Sequence, residues 1–597
     1  MTTNIPRPEY PRPQFARADW LNLNGTWQFE FDPEDKGQEN GLRERPLAGT
    51  ILVPFTPEST LSGIGDVDFH DAVWYRREVQ IPAEWAGRKV LVHFQAVDYD
   101  TTVWANGQEV ARHRGGFTPF TADLSGVAKP GETVTLVVRV RDYHNRAMPS
   151  GKQSRIFENV GCMYTRTTGI WQTVWLEPVP ETHFLRPRIT PDVANSRFHL
   201  EVPISGSRAG YTVRAALADN RGEVARVSLP ADRDFVPALE LAIPASRVHL
   251  WEPGNPHLYN LTLELVNSTG QVTDRMESYA GLRSLRIEGK RILLNGQAVF
   301  QRLVLDQGFY PDGILTAPSD EALVKDIELS MAAGFNGARL HQKVFEERFL
   351  YHADRLGYLV WGEFPDWGCA GFGPAEDHQQ PTASYITEWL EAIQRDYSHP
   401  AIVGWCGLNE TWQAITDRLS TLDTVTRGMF LAAKALDTTR PVLDASGYAH
   451  RVSETDVYDS HDYEQDPVKF KATHDEAMQG KPFVNMTGVD SVPMSVPYSG
   501  QPYFVSEFGG IWWNPDAKPG EDSWGYGNRP QSLDEFYERF QGLCDALLDN
   551  WAHFGYCYTQ LTDVFQEQNG IYRFDRSEKF DVERLRKIQT RKAASED

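Results

Sequence analysis

Two glutamates stand 97 positions apart in similar surroundings: Trp405-Cys406-Gly407-Leu408-Asn409-Glu410 and Tyr503-Phe504-Val505-Ser506-Glu507-Phe508-Gly509. Each closes a short apolar run of β-strand character, and loop chemistry follows. A carboxylate at the C-terminal end of a parallel barrel strand points into the mouth where such barrels do chemistry. Two facing carboxylates there are what retaining glycoside hydrolysis needs, one as acid and base, one as nucleophile. A lone strand-end glutamate is more often a cap or an arginine partner. A pair of them, one after Asn409 and one before an aromatic and two glycines, favours catalysis.

The elements that must position this pair extend over 597 residues, too many for one hydrophobic core. From about residue 15 to 180, runs such as VWYRREVQI, KVLVHFQAV and TVTLVVRV lie between turn signals such as Asn106-Gly107 and Pro130-Gly131. These predict a jelly-roll sandwich over residues 1–182. The runs FHLEVPI, YTVRAALA and LYNLTLELV predict an immunoglobulin-like β-sandwich over 183–285. The rhythm then becomes strand, loop, helix. AVFQRLVL, FNGARLH, YLVWGEF, AIVGWCGL, PVLDAS, DVYDSHDY, YFVSEF and GYCYTQL are eight strand candidates, with helix-period segments between several of them. Eight such units over residues 286–597 predict a TIM (β/α) barrel.

Composition excludes several classes of partner. A net charge of −23 disfavours nucleic acid and anionic membranes, which require basic patches. The 17 Trp, 23 Tyr and 30 Phe suit stacking on the apolar faces of sugars, although large β-rich cores also consume aromatics. Cys162, Cys369, Cys406, Cys544 and Cys557 show no CxxC or Cys/His spacing, so no metal site, cofactor or disulfide framework is implied. The N-terminus lacks signal-peptide character, and no stretch is long and apolar enough for a membrane span. The sequence predicts a cytoplasmic protein and leaves its oligomeric state open, a homo-oligomer included.

Taken in order, the motifs resemble glycoside hydrolase family 2, the family of β-galactosidases, β-glucuronidases and β-mannosidases. VPFTPES, FQAVDYDTTVWANGQEVARHRGGFTPF and TGIWQTVWLEP are similar to its sugar-binding jelly roll. LWEPGNPHLYNLTLEL with YAGLRSL is similar to its second sandwich, and RDYSHPAIVGWCGLNE and YFVSEFGG are similar to its acid/base and nucleophile motifs.

The resemblance implies a small-molecule or oligosaccharide substrate, with Glu410 as acid/base and Glu507 as nucleophile. Asn409 would bond the sugar 2-hydroxyl, and Arg339 would support the nucleophile. His341 is a sugar-contact candidate, although the family spacing has two residues between Arg and His and here only Leu340 intervenes. Tyr463, after the sixth strand, would bond the nucleophile. Asp306 and Asp563, after the first and eighth strands, would bind hydroxyls, or else cap their own loops. Glu363 and Trp367 follow the third strand, Trp367 as a stacking platform. The jelly-roll loop NVGCMYTRTTGIW would wall the pocket.

Three departures narrow the sugar. The Asn-x-Lys that grips the carboxylate in family glucuronidases is replaced by QEQNGIYRFDR, where only Arg573 could substitute. The glycine- and tryptophan-rich segment of β-mannosidases is replaced by LHQKVFEERF, and the barrel ends near the C-terminus without the extra sandwiches of large β-galactosidases. The expectation is a retaining exo-glycosidase of β-galactosidase type, acting on a neutral terminal sugar. β-Galactofuranosidase or α-L-arabinosidase activity, then β-glucuronidase, are the alternatives. A non-catalytic carbohydrate-binding protein would not need both glutamates.

Overall fold

Alternation of inward apolar and outward polar residues builds the N-terminal region into two antiparallel sheets. The computed structural model describes residues 5–143, 147–367, 381–486, 491–517 and 522–596, which leaves Cys369 outside the described residues. One sheet has four strands, among them Lys89–Phe94 and Val174–Val179; the other has six, centred on Ala72–Gln80 and Thr133–Arg141. Trp27, Phe29, Val73, Tyr75, Val92 and Phe94 fill the space between them. This is the jelly roll. In the immunoglobulin-like sandwich, sheets of three and four strands enclose Phe198, Leu200, Val213, Leu217, Leu261 and Met276. Its strand Thr212–Asp219 buries every second residue, as a sheet with one face on a core requires.

The remaining chain forms the barrel. Its strands are β1 (Gln301–Asp306), β2 (Gly337–Leu340), β3 (Leu359–Glu363), β4 (Ile402–Asn409), β5 (Val442–Ser446), β6 (Tyr458–Asp462), β7 (Tyr503–Gly509) and β8 (His553–Thr559). Each of the eight apolar runs supplies one strand. All are parallel and nearly all their residues are buried, as expected for strands covered on both faces. The ladder runs β5-β4-β3-β2-β1-β8-β7-β6. No ladder joins β5 to β6; there side chains close the seam. The Ser446 hydroxyl donates to Asp459 over 2.8 Å, and the Gly447 N–H donates to the other Asp459 oxygen over 2.9 Å.

Local chemistry sets the helix ends. Ser319 caps Asp320–Ala332 through the Ala322 N–H, and Gly357, at φ 71°, ends Glu347–Leu356. Ser420 and Asp423 form a reciprocal capping box on Thr421–Leu436. The five cysteines contribute no disulfide among the described residues: Cys162, Cys406, Cys544 and Cys557 are free. Among the described residues, no helix is long and apolar enough to cross a membrane.

The jelly roll stores a pH dependence. Burial pushes the Glu58 carboxyl up to about 8, against hydrogen bonds from Thr168 and Thr56, and burial pushes Asp98 up to about 7. A native acid that keeps its proton above the unfolded pKa stabilises the fold most below that pKa. Stability from Glu58 is therefore lost as pH rises from about 4.5 to about 8. Glu58→Gln keeps an oxygen for the Thr168 N–H and cannot ionise. Thermal melts should show the variant close to wild type at pH 5 and more stable by on the order of a few °C at pH 8.5.

Candidate active site

Strand register brings the two glutamates together. Glu507 lies on β7 with His461 of β6 as its ladder partner, and Asn409 of β4 is paired with Ser446 of β5. Glu410 follows Asn409 in the left-handed region, φ 46°, which a residue with a Cβ seldom adopts. That turn swings its carboxylate off the strand and over the barrel mouth, where His461 Nδ1 meets Oε1 at 2.7 Å. The same nitrogen lies 3.4 Å from Glu507 Oε2. One oxygen of Glu410, one of Glu507 and a ring nitrogen of His461 lie within 4.8 Å of one another.

Arg339, fully buried at the end of β2, is the electrostatic centre. Its guanidinium pairs with Glu507 and, at 2.9 Å, with Glu363. It also donates to Asn409 Oδ1 at 3.2 Å and Ser446 Oγ at 2.5 Å, and meets His341 Nδ1 at 3.0 Å. Burial alone would protonate Glu507, but His461, Arg339 and Lys152 and the Tyr463 hydroxyl hold its pKa below the ordinary value. Burial prevails at Glu363, whose carboxyl is pushed up to about 7 despite Arg339. Burial, with Lys152, Arg339 and His461, keeps His341 neutral well below the usual imidazole range. Thus one carboxylate is kept charged while a neighbouring carboxyl and imidazole are held toward their neutral forms.

The jelly roll supplies a wall. Gly151 presses against the Gln342 carbonyl, and its N–H bonds Asp366 over 2.8 Å. No room exists there for a side chain, so the loop can approach closely enough for Lys152 to enter the barrel mouth. Burial opposes charge on Lys152, but Glu567, Cys162, Glu507 and Glu410 outweigh it and raise its pKa. Its ammonium lies 5.2 Å from the Trp367 ring centroid and has no ion-pair partner within 4 Å among the described residues. Tyr164 donates to Glu567, whose other oxygen takes a 3.1 Å bond from Asn569. Trp524 and Gln566 of the barrel loops grip the Gly161 carbonyl at 2.7 and 2.6 Å.

Of the ten residues singled out by sequence, seven gather at this mouth besides Trp367: Glu410, Glu507, Asn409, Arg339, His341, Glu363 and Tyr463. Tyr463 donates to Glu507 and stacks on Tyr526, ring centroids 3.4 Å apart. Trp367 bonds the Asn409 carbonyl through its indole N–H at 3.1 Å. Asp306 and Asp563 belong to other clusters. Asp306 accepts the Gly308 N–H, and burial lifts it to about 7 beside Asp326. Asp563 is paired at 2.6 Å with Lys579. Sequence reasoning missed Lys152, His461, Ser446 and Glu567. The DSHDY and VFQEQN stretches held His461 and Glu567 in view, but no local pattern marks Lys152.

Together, two sandwiches and a barrel whose mouth holds paired carboxylates define the architecture of a multidomain glycosidase. Three family models match in chain order: glycosyl hydrolases family 2, sugar binding domain, over residues 21–180; glycosyl hydrolases family 2, over 182–283; and its TIM barrel domain, over 285–490. The chain belongs to glycoside hydrolase family 2 and is a glycosidase. Relatives include a β-glucuronidase of Paenibacillus borealis, 28% identical over 427 residues that cover 67% of this chain and 69% of that one. A β-galactosidase of Thermoanaerobacter pseudethanolicus is 25% identical over 406 residues, covering 65% of this chain and 50% of that one. The crystal structure of Ruminococcus gnavus β-glucuronidase shares the fold, with a TM-score of 0.79 at 21% identity over 99% of each chain.

Proposed function

We propose that this protein is a retaining exo-glycosidase that releases a neutral, galacto-like terminal sugar, with Glu410 as acid/base and Glu507 as nucleophile. The carrying observation is the approach of the two carboxylates, whose nearest oxygens lie within 4.8 Å. Retaining enzymes hold their carboxyl groups about 5–5.5 Å apart, whereas inverting enzymes leave room for a water between them. Glu507 attacks the anomeric carbon as Glu410 protonates the leaving oxygen; Glu410, then ionised, activates water to release the sugar. With Arg339 holding Asn409 Oδ1, the buried Nδ2 has no protein partner among the described residues and is free to donate to the 2-hydroxyl. That bond strengthens toward the oxocarbenium-like transition state.

The choice of a neutral sugar is supported by the positions of the cations. Arg573, the substitute that the sequence offered for a uronate grip, donates to the Glu578 carbonyl. It lines a cavity of about 340 Å³ with Asp563 and Lys579, and that lining includes neither Glu410 nor Glu507. Lys152 has the Glu567 carboxyl as its strongest electrostatic partner. β-Galactofuranosides and α-L-arabinosides, likewise neutral, are the alternatives within this reading. One observation favours β-glucuronidase as a second reading: the Lys152 ammonium, with no carboxylate within 4 Å among the described residues, offers a uronate a countercharge. Several relatives bear that name. A reducing cytoplasm suits the four thiols that are free among the described residues.

A panel of nitrophenyl glycosides tests the substrate. The highest kcat/KM is expected on a neutral galactoside, galactofuranoside or arabinoside; a β-glucuronide that exceeds them all overturns the proposal. Lys152→Met sharpens the comparison. It should weaken neutral substrates by about tenfold, the loss of one charge-assisted hydrogen bond. A loss confined to the glucuronide would instead assign Lys152 to a carboxylate.

A further inference from the structure

We propose that His461 holds the acid proton on Glu410, as a positioning residue whose tautomer is fixed by the side-chain hydrogen bonds that close the β5/β6 seam. The proposal rests on Glu410 being the acid/base. The hydrogen atoms can be followed from the far end. His450 lies 2.9 Å from Asp444 and 3.0 Å from Asp459. Burial opposes its charge, but the two carboxylates push its pKa up to about 10, which favours the imidazolium. Burial likewise opposes ionisation of Asp459, and the hydrogen bond and charge of His450 outweigh it and hold that carboxyl below its ordinary value. An ionised carboxylate only accepts. Asp459 therefore takes the hydroxyl hydrogens of both Ser446 and Ser506.

Ser446 then has no hydrogen left to give. Its lone pairs receive an Arg339 N–H at 2.5 Å and His461 Nε2 at 2.9 Å, so Nε2 must carry a hydrogen. Neutral His461 consequently presents Nδ1 as an acceptor, 2.7 Å from Glu410 Oε1. A bare lone pair facing a carboxylate would repel it, so the site demands a proton there. Placed on Glu410, it is the acid proton. Moved to Nδ1, it makes an imidazolium between Glu410 and Glu507. Burial resists that second form; Glu507 and Glu410 favour it and Arg339 opposes it, leaving the ring's proton affinity above the ordinary value.

The ring cannot turn away. Asn485 bonds both the N–H and the carbonyl of His461, at 3.0 and 2.7 Å, and Tyr448 packs edge-on at 5.6 Å. Gly447, at φ 82°, lies so close that a Cβ there would fall 2.6 Å from the ring. In the first half-reaction the proton passes from Glu410 to the glycosidic oxygen. That oxygen keeps the electron pair of the broken C–O bond while a Glu507 oxygen bonds the anomeric carbon. In the second half, Glu410 takes a proton from water, the water oxygen bonds the anomeric carbon, and Glu507 departs with its pair. The proton is again opposite Nδ1.

The test compares pH profiles of kcat/KM for wild type, His461→Asn and Ser446→Ala, each on a methyl and a dinitrophenyl glycoside of the preferred sugar. Without the Nδ1 acceptor, Glu410 releases its proton more readily, so the alkaline limb should fall by about one pH unit. The methyl glycoside should lose at least about tenfold more rate than the dinitrophenyl glycoside, which needs little protonation. Ser446→Ala removes the Nε2 acceptor, frees the Nδ1–H tautomer and should shift the limb the same way, which carries the test should His461→Asn fail to fold. In ¹⁵N-histidine spectra of the wild type, the imidazole whose signals vanish in His461→Asn should bear its hydrogen on Nε2 at pH 7. An Nδ1–H tautomer, an imidazolium with hydrogen on both nitrogens at pH 7, or equal losses on both substrates with an unmoved profile, overturns the proposal. Absence of leaving-group dependence in Glu410→Ala would instead sink the role of Glu410 and leave the tautomer result standing.

Discussion

Glu507→Ala should abolish turnover of every glycoside, with kcat falling on the order of 10⁴-fold or more, because no other group can form the covalent intermediate. Glu410→Ala should behave differently. Loss of the general acid costs about 10²–10⁴-fold on substrates with poor leaving groups, but dinitrophenyl glycosides leave almost unaided and should still form the glycosyl-enzyme. The intermediate then accumulates for want of a base, and added azide should release it as a β-glycosyl azide if the substrate is β-linked. The asymmetry follows from the site: Glu507 is charged and gripped by Arg339 and Tyr463, whereas Glu410 stands off the strand end with His461 as its close partner. Azide rescue of the Glu507 variant, and not of the Glu410 variant, would reverse the assignment; an inverted first product by NMR would remove the covalent mechanism.

Arg339→Met should cost both activity and stability. The guanidinium is the countercharge of the Glu507 carboxylate, pairs with the Glu363 carboxyl and bonds Asn409, Ser446 and His341. Breaking a buried ion pair by removing one partner destabilises by about 3–5 kcal/mol, since the remaining charge is left without compensation. The protein can escape part of that cost by protonating Glu507. In wild type the depressed Glu507 pKa contributes stability that is present above the unfolded carboxyl pKa and lost as pH falls through the folded value. The variant should lose this acid-side slope, and the acidic limb of its kcat/KM profile should move to higher pH. Arg339→Lys should recover only part of the rate, because an ammonium cannot reproduce the forked donors. A variant with wild-type melting and an unmoved acidic limb would show that Glu507 does not depend on this pairing.

The sequence by itself determined the sandwiches, the eight barrel strands and the pair of glutamates, Glu410 and Glu507, that meet at the barrel mouth. Those features are local: alternation or continuous apolarity makes a strand, and a polar residue at its C-terminal end stands at the barrel mouth. The same rule could not separate Glu507 from Asp306 and Asp563, which also end or follow strands. Height in the barrel is a local property, but the direction a side chain turns depends on its partner. Asp306 is satisfied by its own Gly308 N–H and Asp563 by Lys579, while Glu507 is drawn toward Arg339 and Tyr463. Lys152 and Tyr164 come from another domain, and only the close approach at Gly151 and the grip of Trp524 and Gln566 on Gly161 bring their loop to the mouth. His461 became meaningful through Ser446 and Asp459, which meet where β5 and β6 lack a ladder. Hydrogen-bond direction around such a ring is settled by which neighbours have already spent their hydrogens, and that is fixed only once the chain has folded.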